Sequence, residues 1–218
     1  MKSKFEFNKV SPGWHYDKTI QPAKELEKIG HIDLSNTTHE KIDSLIKSPY
    51  KDGGIKRMHI GDTAEKVENA IIDARIAHMR DIGYKPENYF IEFINDKFLE
   101  LEKTLSEKYN IGHHHACAIY LEPGQCMPVH DDTYAYLQKY MKRDFPKVEY
   151  DVVKNIKRYL VFLTDWEWGQ CLGAGNTMSH QWRNGDIYIW KHKMLHWSSN
   201  AGMKPMVFFE ITGLELAS

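Results

Sequence analysis

The spacing of apolar residues changes near Asn110, and this change divides the chain into two predicted parts. Before Asn110, apolar residues recur every three or four positions, which is the period of an amphipathic helix. Together with capping and stop signals, this pattern predicts four helices, at Pro22–Ile29, Thr38–Lys47, Thr63–Asp81 and Glu87–Lys108. The two longer helices each present one apolar face, which we expect to pack on a sheet.

After Asn110 the chain is rich in β-branched and aromatic residues, and Gly and Pro turns divide it into short apolar runs. One helix is predicted at Thr133–Arg143. The predicted strands are Ala116–Leu121, Met127–His130, Arg158–Leu163, Asp186–Trp190 and Met206–Thr212. This pattern predicts an α+β fold, a double-stranded β-helix (jelly-roll, cupin-like) barrel buttressed by N-terminal helices. No linker divides the chain, so we predict a single domain over 1–218, with mainly helical support in 1–110 and the jelly-roll core in 111–218.

Composition and charge narrow the possible functions. The 218 residues are 42% hydrophobic and 27% charged, and their formal net charge is −1. A near-neutral chain lacks the electrostatic footprint of a nucleic-acid-binding protein, so a nucleic-acid partner is not expected. No apolar stretch approaches the roughly 20 residues of a membrane span, and the first ten residues do not have the pattern of a signal peptide. Three widely spaced cysteines indicate a reducing compartment, so we expect a cytoplasmic protein without a membrane partner.

A candidate metal site begins at His130 and Asp132, which follow an apolar run and a Pro-Gly turn. Residues two apart on a strand point to the same face, so an imidazole and a carboxylate would lie side by side. A distant histidine would complete a two-histidine, one-carboxylate triad, the usual ligand set of non-haem Fe(II). His192 and His196 are the candidates. We favour His196, because Leu195 and Trp197 flank it, whereas lysines flank His192. The predicted catalytic and metal-binding residues are therefore His130, Asp132 and His196.

The ordered set of His130-Asp131-Asp132, the strand that starts at Arg158, Gly185-Asp186 with its strand, and the distal His196 resembles the iron(II)- and 2-oxoglutarate-dependent oxygenases. Within these it is most similar to the prolyl-hydroxylase and aspartyl/asparaginyl-hydroxylase type. The resemblance covers roughly residues 115 to 213. It implies a distorted jelly roll that uses Fe(II), molecular oxygen and 2-oxoglutarate as cosubstrate. The products would be a hydroxylated substrate, succinate and carbon dioxide.

The resemblance also implies a basic residue for the far carboxylate of 2-oxoglutarate, and here the sequence departs from the family pattern. Met206 occupies the matching position on the last strand. Arg158 and Lys204 are the candidate replacements, and we favour Arg158 because a guanidinium meets a carboxylate with two parallel hydrogen bonds. Glu210 is a possible partner that would remove Arg158 from this role. Tyr120 is a further cosubstrate-binding candidate, although packing in the core is an equal possibility.

Two other functions stay open. The departure at Met206 is compatible with a cupin-like metalloprotein that acts without 2-oxoglutarate, as an isomerase or dioxygenase. A non-catalytic barrel that binds a ligand is the third possibility. The sequence does not separate a small-molecule substrate from a peptidyl one.

Overall fold

The computed structural model describes residues 25–47, 56–59, 90–94, 98–132 and 134–216. The described helices are α1 (Asn36–Lys47), α2 (Leu99–Lys108), α3 (Ala135–Asp144) and α4 (Val152–Asn155). The described strands are β1 (Leu26–His31), β2 (Lys56–His59), β3 (Phe90–Ile94), β4 (Ile111–Leu121), β5 (Cys126–His130), β6 (Ile156–Phe162), β7 (Gln170–Ala174), β8 (Thr177–Ser179), β9 (Asp186–Trp190), β10 (His196–Asn200) and β11 (Met206–Glu215).

The strands form two sheets in which every paired neighbour is antiparallel. The larger sheet has the order β1-β9-β6-β11-β4-β3-β2, and the smaller has the order β5-β10-β7-β8. From β4 onward the chain passes between the two sheets, so that four strands of each (β9-β6-β11-β4 and β5-β10-β7-β8) make the eight-stranded jelly roll. The predicted double-stranded β-helix of the α+β class is therefore confirmed.

The central strands of the larger sheet are buried on both faces because their residues alternate between two apolar clusters. Along β11, Val207 and Phe209 face the cluster that contains Leu101 and Leu105 of α2. Met206 and Phe208 on the same strand belong to the cluster inside the barrel. Helical support from α1 and α2 thus closes one face, and the smaller sheet closes the other.

Most predicted elements of the jelly roll are confirmed. The strand Asp186–Trp190 has the predicted bounds, and β4, β5, β6 and β11 overlap their predicted ranges. Of the predicted helices, α1 begins at Asn36, two residues before the predicted start, and α3 occupies the predicted insertion. The N-terminal signal at α1 comes from Ser35, whose hydroxyl accepts a hydrogen bond from the backbone N–H of Thr38.

Two helix predictions are wrong, and one lies outside the described residues. In place of the end of Pro22–Ile29 the chain forms β1, because pairing with β9 overrides a weak helical signal. The range Glu87–Lys108 is divided into β3 and α2, since the run Phe90–Ile94 pairs with β4 as a strand. The predicted helix Thr63–Asp81 falls on residues that the structure does not describe.

Three strands of the smaller sheet were not predicted. The strands β7, β8 and β10 are rich in small and polar residues and lack the apolar pattern that predicts a strand. In the structure Asn200 is buried, and its side-chain amide donates hydrogen bonds to the backbone carbonyls of Leu121 and Lys204. A polar strand is stable here because its buried polar groups are satisfied.

Candidate metal centre

His130, Asp132 and His196 meet at the end of the barrel where β5 ends and β10 begins, which is called the open end here. His130 is the last residue of β5, and it lies directly opposite His196, the first residue of β10. Asp132 follows β5 by two residues, and its Oδ2 atom is 3.3 Å from Nε2 of His196. One potential ligand atom from each residue lies within 4.8 Å of the other two. Among the described residues, this group has the composition and spacing of a metal site.

The imidazole of His196 is fixed in the state that a metal ligand requires. Its Nδ1 donates a hydrogen bond to the backbone carbonyl of Met194 at 2.9 Å, which places the ring proton on Nδ1 and leaves a lone pair on Nε2. Burial, reinforced by the nearby His130, lowers the pKa of His196 to about 4. The ring is therefore neutral near pH 7 and can bind a cation.

A buried nitrogen without a partner is evidence, independent of the ligand spacing, that the donor set fits a divalent metal ion. His196 is 2% exposed, and its Nε2 has no hydrogen-bond partner among the described residues. A buried polar atom without a partner is costly, and a cation at the meeting point of the triad would satisfy it. Two imidazole nitrogens with one carboxylate oxygen suit Fe(II) and leave coordination positions open to other ligands.

Arg158 lies against the triad and holds its carboxylate. Its Nη1 is 2.6 Å from Oδ2 of Asp132 and 3.4 Å from Oε2 of Glu210. Its Nε donates a hydrogen bond to the hydroxyl of Thr212 at 2.9 Å. The guanidinium therefore orients a predicted metal ligand, as outer-shell groups commonly do in metal sites. Its predicted contact with 2-oxoglutarate stays a prediction, and the pairing with Glu210 is the alternative that the sequence raised.

Buried charges are concentrated around Arg158. Burial alone would lower the pKa of Arg158, but the carboxylates of Glu210 and Asp132 raise it, so the guanidinium stays charged. Burial raises the pKa of Glu210, and Arg158 opposes this increase. The Cys117 thiol lies on the same interior face, and burial followed by the charge of Glu210 raises its pKa to about 12. This thiol is therefore protonated near pH 7.

The structure does not bring the other two predicted cosubstrate residues to the triad. Lys204 is 73% exposed, and its Nζ pairs with Oε1 of Glu167 at 2.5 Å. Tyr120 is buried in the cluster on the helix-facing side of the sheet, opposite the barrel interior. Met206 is fully buried among the apolar residues of the interior. Of the predicted cations, Arg158 is therefore the one that the fold places beside the ligands.

Several groups around the site were not predicted. No sequence signal marks the Met194 carbonyl, because any residue supplies one. Thr212 was detectable, since it follows Glu210 in the alternation of β11. Tyr134 adopts a left-handed backbone conformation with φ of 52°, which turns the chain sharply after Asp132. Its ring is buried and faces the Arg158 guanidinium at 5.2 Å.

No protein-family model matches this chain, and no curated protein matches its sequence. Among solved structures, a double-stranded β-helix protein from Klebsiella pneumoniae is similar at 17% identity and a TM-score of 0.31, over 50% of this chain and 74% of its own. A predicted oxalate decarboxylase from Thermotoga maritima is similar at 11% identity and a TM-score of 0.36, over 57% and 81%. A variant of Bacillus subtilis oxalate decarboxylase is similar at 11% identity and a TM-score of 0.34, over 59% of this chain and 26% of its own.

Within the described part of the chain, no helix has the length and apolar character needed to cross a bilayer. The strand order of the two sheets defines the fold as a double-stranded β-helix with a possible metal site at its open end.

Proposed function

We propose that this protein is an Fe(II)- and 2-oxoglutarate-dependent dioxygenase that hydroxylates a C–H bond of a small-molecule or peptidyl substrate. The observation that carries the proposal is the convergence of His130, Asp132 and His196, with the unpartnered Nε2 of His196 facing the other two. A triad of two histidines and one carboxylate is the ligand set used for oxygen chemistry by non-haem iron.

His130, Asp132 and His196 would hold the iron, which when bound supplies oxygen activation coupled to oxidation of 2-oxoglutarate. The protein's own residues prepare the site. The Met194 carbonyl keeps His196 in the ligating tautomer, and Arg158 holds the Asp132 carboxylate. Apolar residues deeper in the barrel keep water from the inner side of the site.

Metal binding is the first test of this proposal. We expect Mn²⁺, used as a redox-stable substitute, to raise the free energy of unfolding of the full chain by about 3 kcal/mol at 100 times its Kd. The variant His196→Ala should lose this stabilisation. The matched control is His39→Ala, which removes an exposed histidine of α1 and should behave like the parent. Equal Mn²⁺ affinity in the parent and in His196→Ala would contradict the ligand assignment.

Turnover is the second test. With Fe(II), ascorbate and oxygen, the parent should convert 2-oxoglutarate to succinate even without a substrate, and His196→Ala should not. A chain that binds Mn²⁺ through the triad and forms no succinate would contradict the oxygenase and leave the metal site intact.

A metalloprotein that acts without 2-oxoglutarate is the second candidate, and the surroundings of Arg158 favour it. Both carboxylates near Arg158 come from the protein itself, and Met206 stands where the family has a basic residue. Calorimetry of the Mn²⁺-loaded chain separates the two candidates, because 2-oxoglutarate binds only in the first. A barrel that merely binds a ligand would gain no stability from metal.

A further inference from the structure

A cavity of about 400 Å³ lies next to the triad, in a gap of the larger sheet. The strands β6 and β9 are neighbours, but their paired register covers only Leu160 with Tyr188 and Val161 with Ile187. Toward the open end β6 continues beside β11, and β9 continues beside β1. The cavity lies where the two strands separate.

The cavity passes from one face of the sheet toward the other. Tyr159 and Ile189 line it, and they belong to the helix-facing side. Trp190 also lines it and belongs to the barrel interior. Because lining residues come from both faces, the gap is open to solvent at its rim and reaches toward the barrel interior.

Two of its walls contact the predicted metal ligands. Arg158 lines the cavity and bonds to Asp132 at 2.6 Å. Trp190 lines it as well, and its ring centroid is 4.7 Å from that of His196. A molecule in this cavity would therefore lie one side chain away from the triad.

Charges of both signs border the cavity on different strands. Glu25 and Glu27 come from the β1 side, whereas Lys157 is on β6 and Lys191 follows β9.

The Asp132 and Glu210 carboxylates already neutralise Arg158. Lys157 has a weak pairing, with its Nζ 3.9 Å from Oε2 of Glu215. The four bordering charges balance, two acidic against two basic.

The rest of the lining is apolar or aromatic, with one buried polar atom. Tyr134, Val153 and Ile156 contribute to the walls. Nδ1 of His192, also a lining residue, is buried and has no hydrogen-bond partner among the described residues. A polar group of a bound ligand would satisfy such an atom. Apolar walls with a few placed polar groups are typical of small-molecule sites, and 400 Å³ is near the small end of their range.

We propose that this cavity binds a free zwitterionic amino acid with an apolar or aromatic side chain, its ammonium toward the β1 acids and its carboxylate toward the lysines. Opposite charges at different points of the cavity border recognise a molecule that carries both charges and discriminate against one that carries only one. The role of this molecule as the substrate rests on the proposed function, whereas its binding does not.

Calorimetry on the full chain loaded with Mn²⁺ tests the proposal with two probes, L-phenylalanine and L-leucine. Each is compared with analogues that lack one charge, which for L-phenylalanine are 3-phenylpropanoate and phenethylamine. We expect at least one amino acid to bind, and both of its single-charge analogues to bind at least about fivefold more weakly. No binding of either amino acid, or equal binding of a single-charge analogue, would overturn the proposal.

Variants of the two walls locate the binding. Glu27→Gln and Lys191→Met should each weaken binding of the amino acid about fivefold, with Glu27→Gln no longer discriminating against 3-phenylpropanoate. Lys103→Met is the matched control, because Lys103 is an exposed residue of α2 that does not line the cavity. Binding that is unchanged in both wall variants would place the amino acid elsewhere and overturn the assignment.

Failure of the amino-acid site is distinguishable from failure of the proposed function. Binding is measured with Mn²⁺, so it does not require oxygen or 2-oxoglutarate. Charge-dependent binding without succinate formation would support the site and contradict the oxygenase. Succinate formation without amino-acid binding would do the reverse.

Discussion

The inward face of β11 joins two regions of the barrel interior that are equally hidden from solvent and chemically opposite. Toward the end opposite the triad, called the closed end, Met206 and Phe208 are each 0% exposed. Two and four residues after Phe208, Glu210 and Thr212 are 7% and 6% exposed. Burial does not distinguish the two regions, so their difference lies in what each buried group contacts.

At the closed end the contacts are apolar and aromatic. Phe208 lies edge-on to Phe162 with ring centroids 6.1 Å apart, and Phe162 stacks on Trp182 at 3.8 Å. At the open end, Glu210 and Asp132 share the Arg158 guanidinium. The first region gains free energy by removing apolar surface from water, whereas the second pays a desolvation cost and stays folded through its pairing. The closed end therefore supplies stability, and the open end holds the groups suited to chemistry.

The largest effect should come from the closed end. Phe208→Ala leaves a cavity beside Phe162, and we expect it to lower the free energy of unfolding by about 3–5 kcal/mol. Urea denaturation measures the loss. The Mn²⁺ affinity of the folded variant should remain that of the parent, because the ring packs on Phe162 and supplies no ligand atom to the triad. A loss below about 1 kcal/mol would show that this region does not carry the stability assigned to it.

Breaking the charge pairing at the open end should cost less and affect the metal. Arg158→Met leaves two carboxylates without their cation, and we expect a loss of about 2–3 kcal/mol, below the value for fully buried pairs because Arg158 is 17% exposed. Mn²⁺ affinity should fall about tenfold, since Asp132 loses its orienting contact. Adding Glu210→Gln should recover part of the stability. Arg143→Met, at an exposed arginine, is the control. No recovery in the double variant would contradict the shared pairing.

A carboxylate at the closed end tests what distinguishes the two ends. They differ either in whether they contain charged groups or in whether those groups have partners within the protein. Asp186 is 2% exposed and bonds to Nζ of Lys28 at 2.7 Å and to Nδ1 of His31 at 2.9 Å. Burial alone would raise the pKa of Asp186, but hydrogen bonds from Lys28, the Arg183 backbone and His31 lower it. All of these partners belong to the protein, so no external cation is needed.

Asp186→Asn should lower the free energy of unfolding by about 1–2 kcal/mol at pH 7. Because the folded pKa is depressed, the carboxylate's contribution is present above its unfolded pKa and is lost as pH falls through the folded pKa. The gap between parent and variant should therefore narrow below about pH 4. Chemical denaturation at several pH values measures this gap. A gap that widens on acidification would contradict the assigned sign.

The smallest effect should come from the exposed cation. Lys204→Met removes a surface pairing with Glu167, and we expect a change below about 0.5 kcal/mol. The affinity of the Mn²⁺-loaded chain for 2-oxoglutarate should also be unchanged. A large loss of that affinity would restore Lys204 as the cosubstrate cation.

The sequence predicted the parts of this arrangement that depend on local pattern. The bounds of β9 followed from a Gly turn and an apolar run, and the choice of His196 over His192 followed from apolar neighbours. Patterns failed where pairing decided the outcome. The segment Leu26–His31 has a weak helical signal, yet it becomes a strand because β9 is available beside it.

The surroundings of the site depended still more on distant pairing. The cavity with Glu27 and Lys191 exists because β1 joins β9 from far along the chain, and no local spacing encodes that contact. Arg158 illustrates an intermediate case. The sequence raised Glu210 as its possible partner, whereas the contact of its guanidinium with Asp132 became visible only in the coordinates.

The placement of β5 has a consequence for how the triad comes apart. This strand is the outermost of its sheet, with a single neighbour, β10, and an irregular register beside His196. Fraying of a sheet margin is its easiest local motion, and here it would carry His130 away from His196, which stays paired with Ala174 of β7. Release of an ion and detachment of that margin would then be a single event, so an ion's residence time would report on the opening of β5.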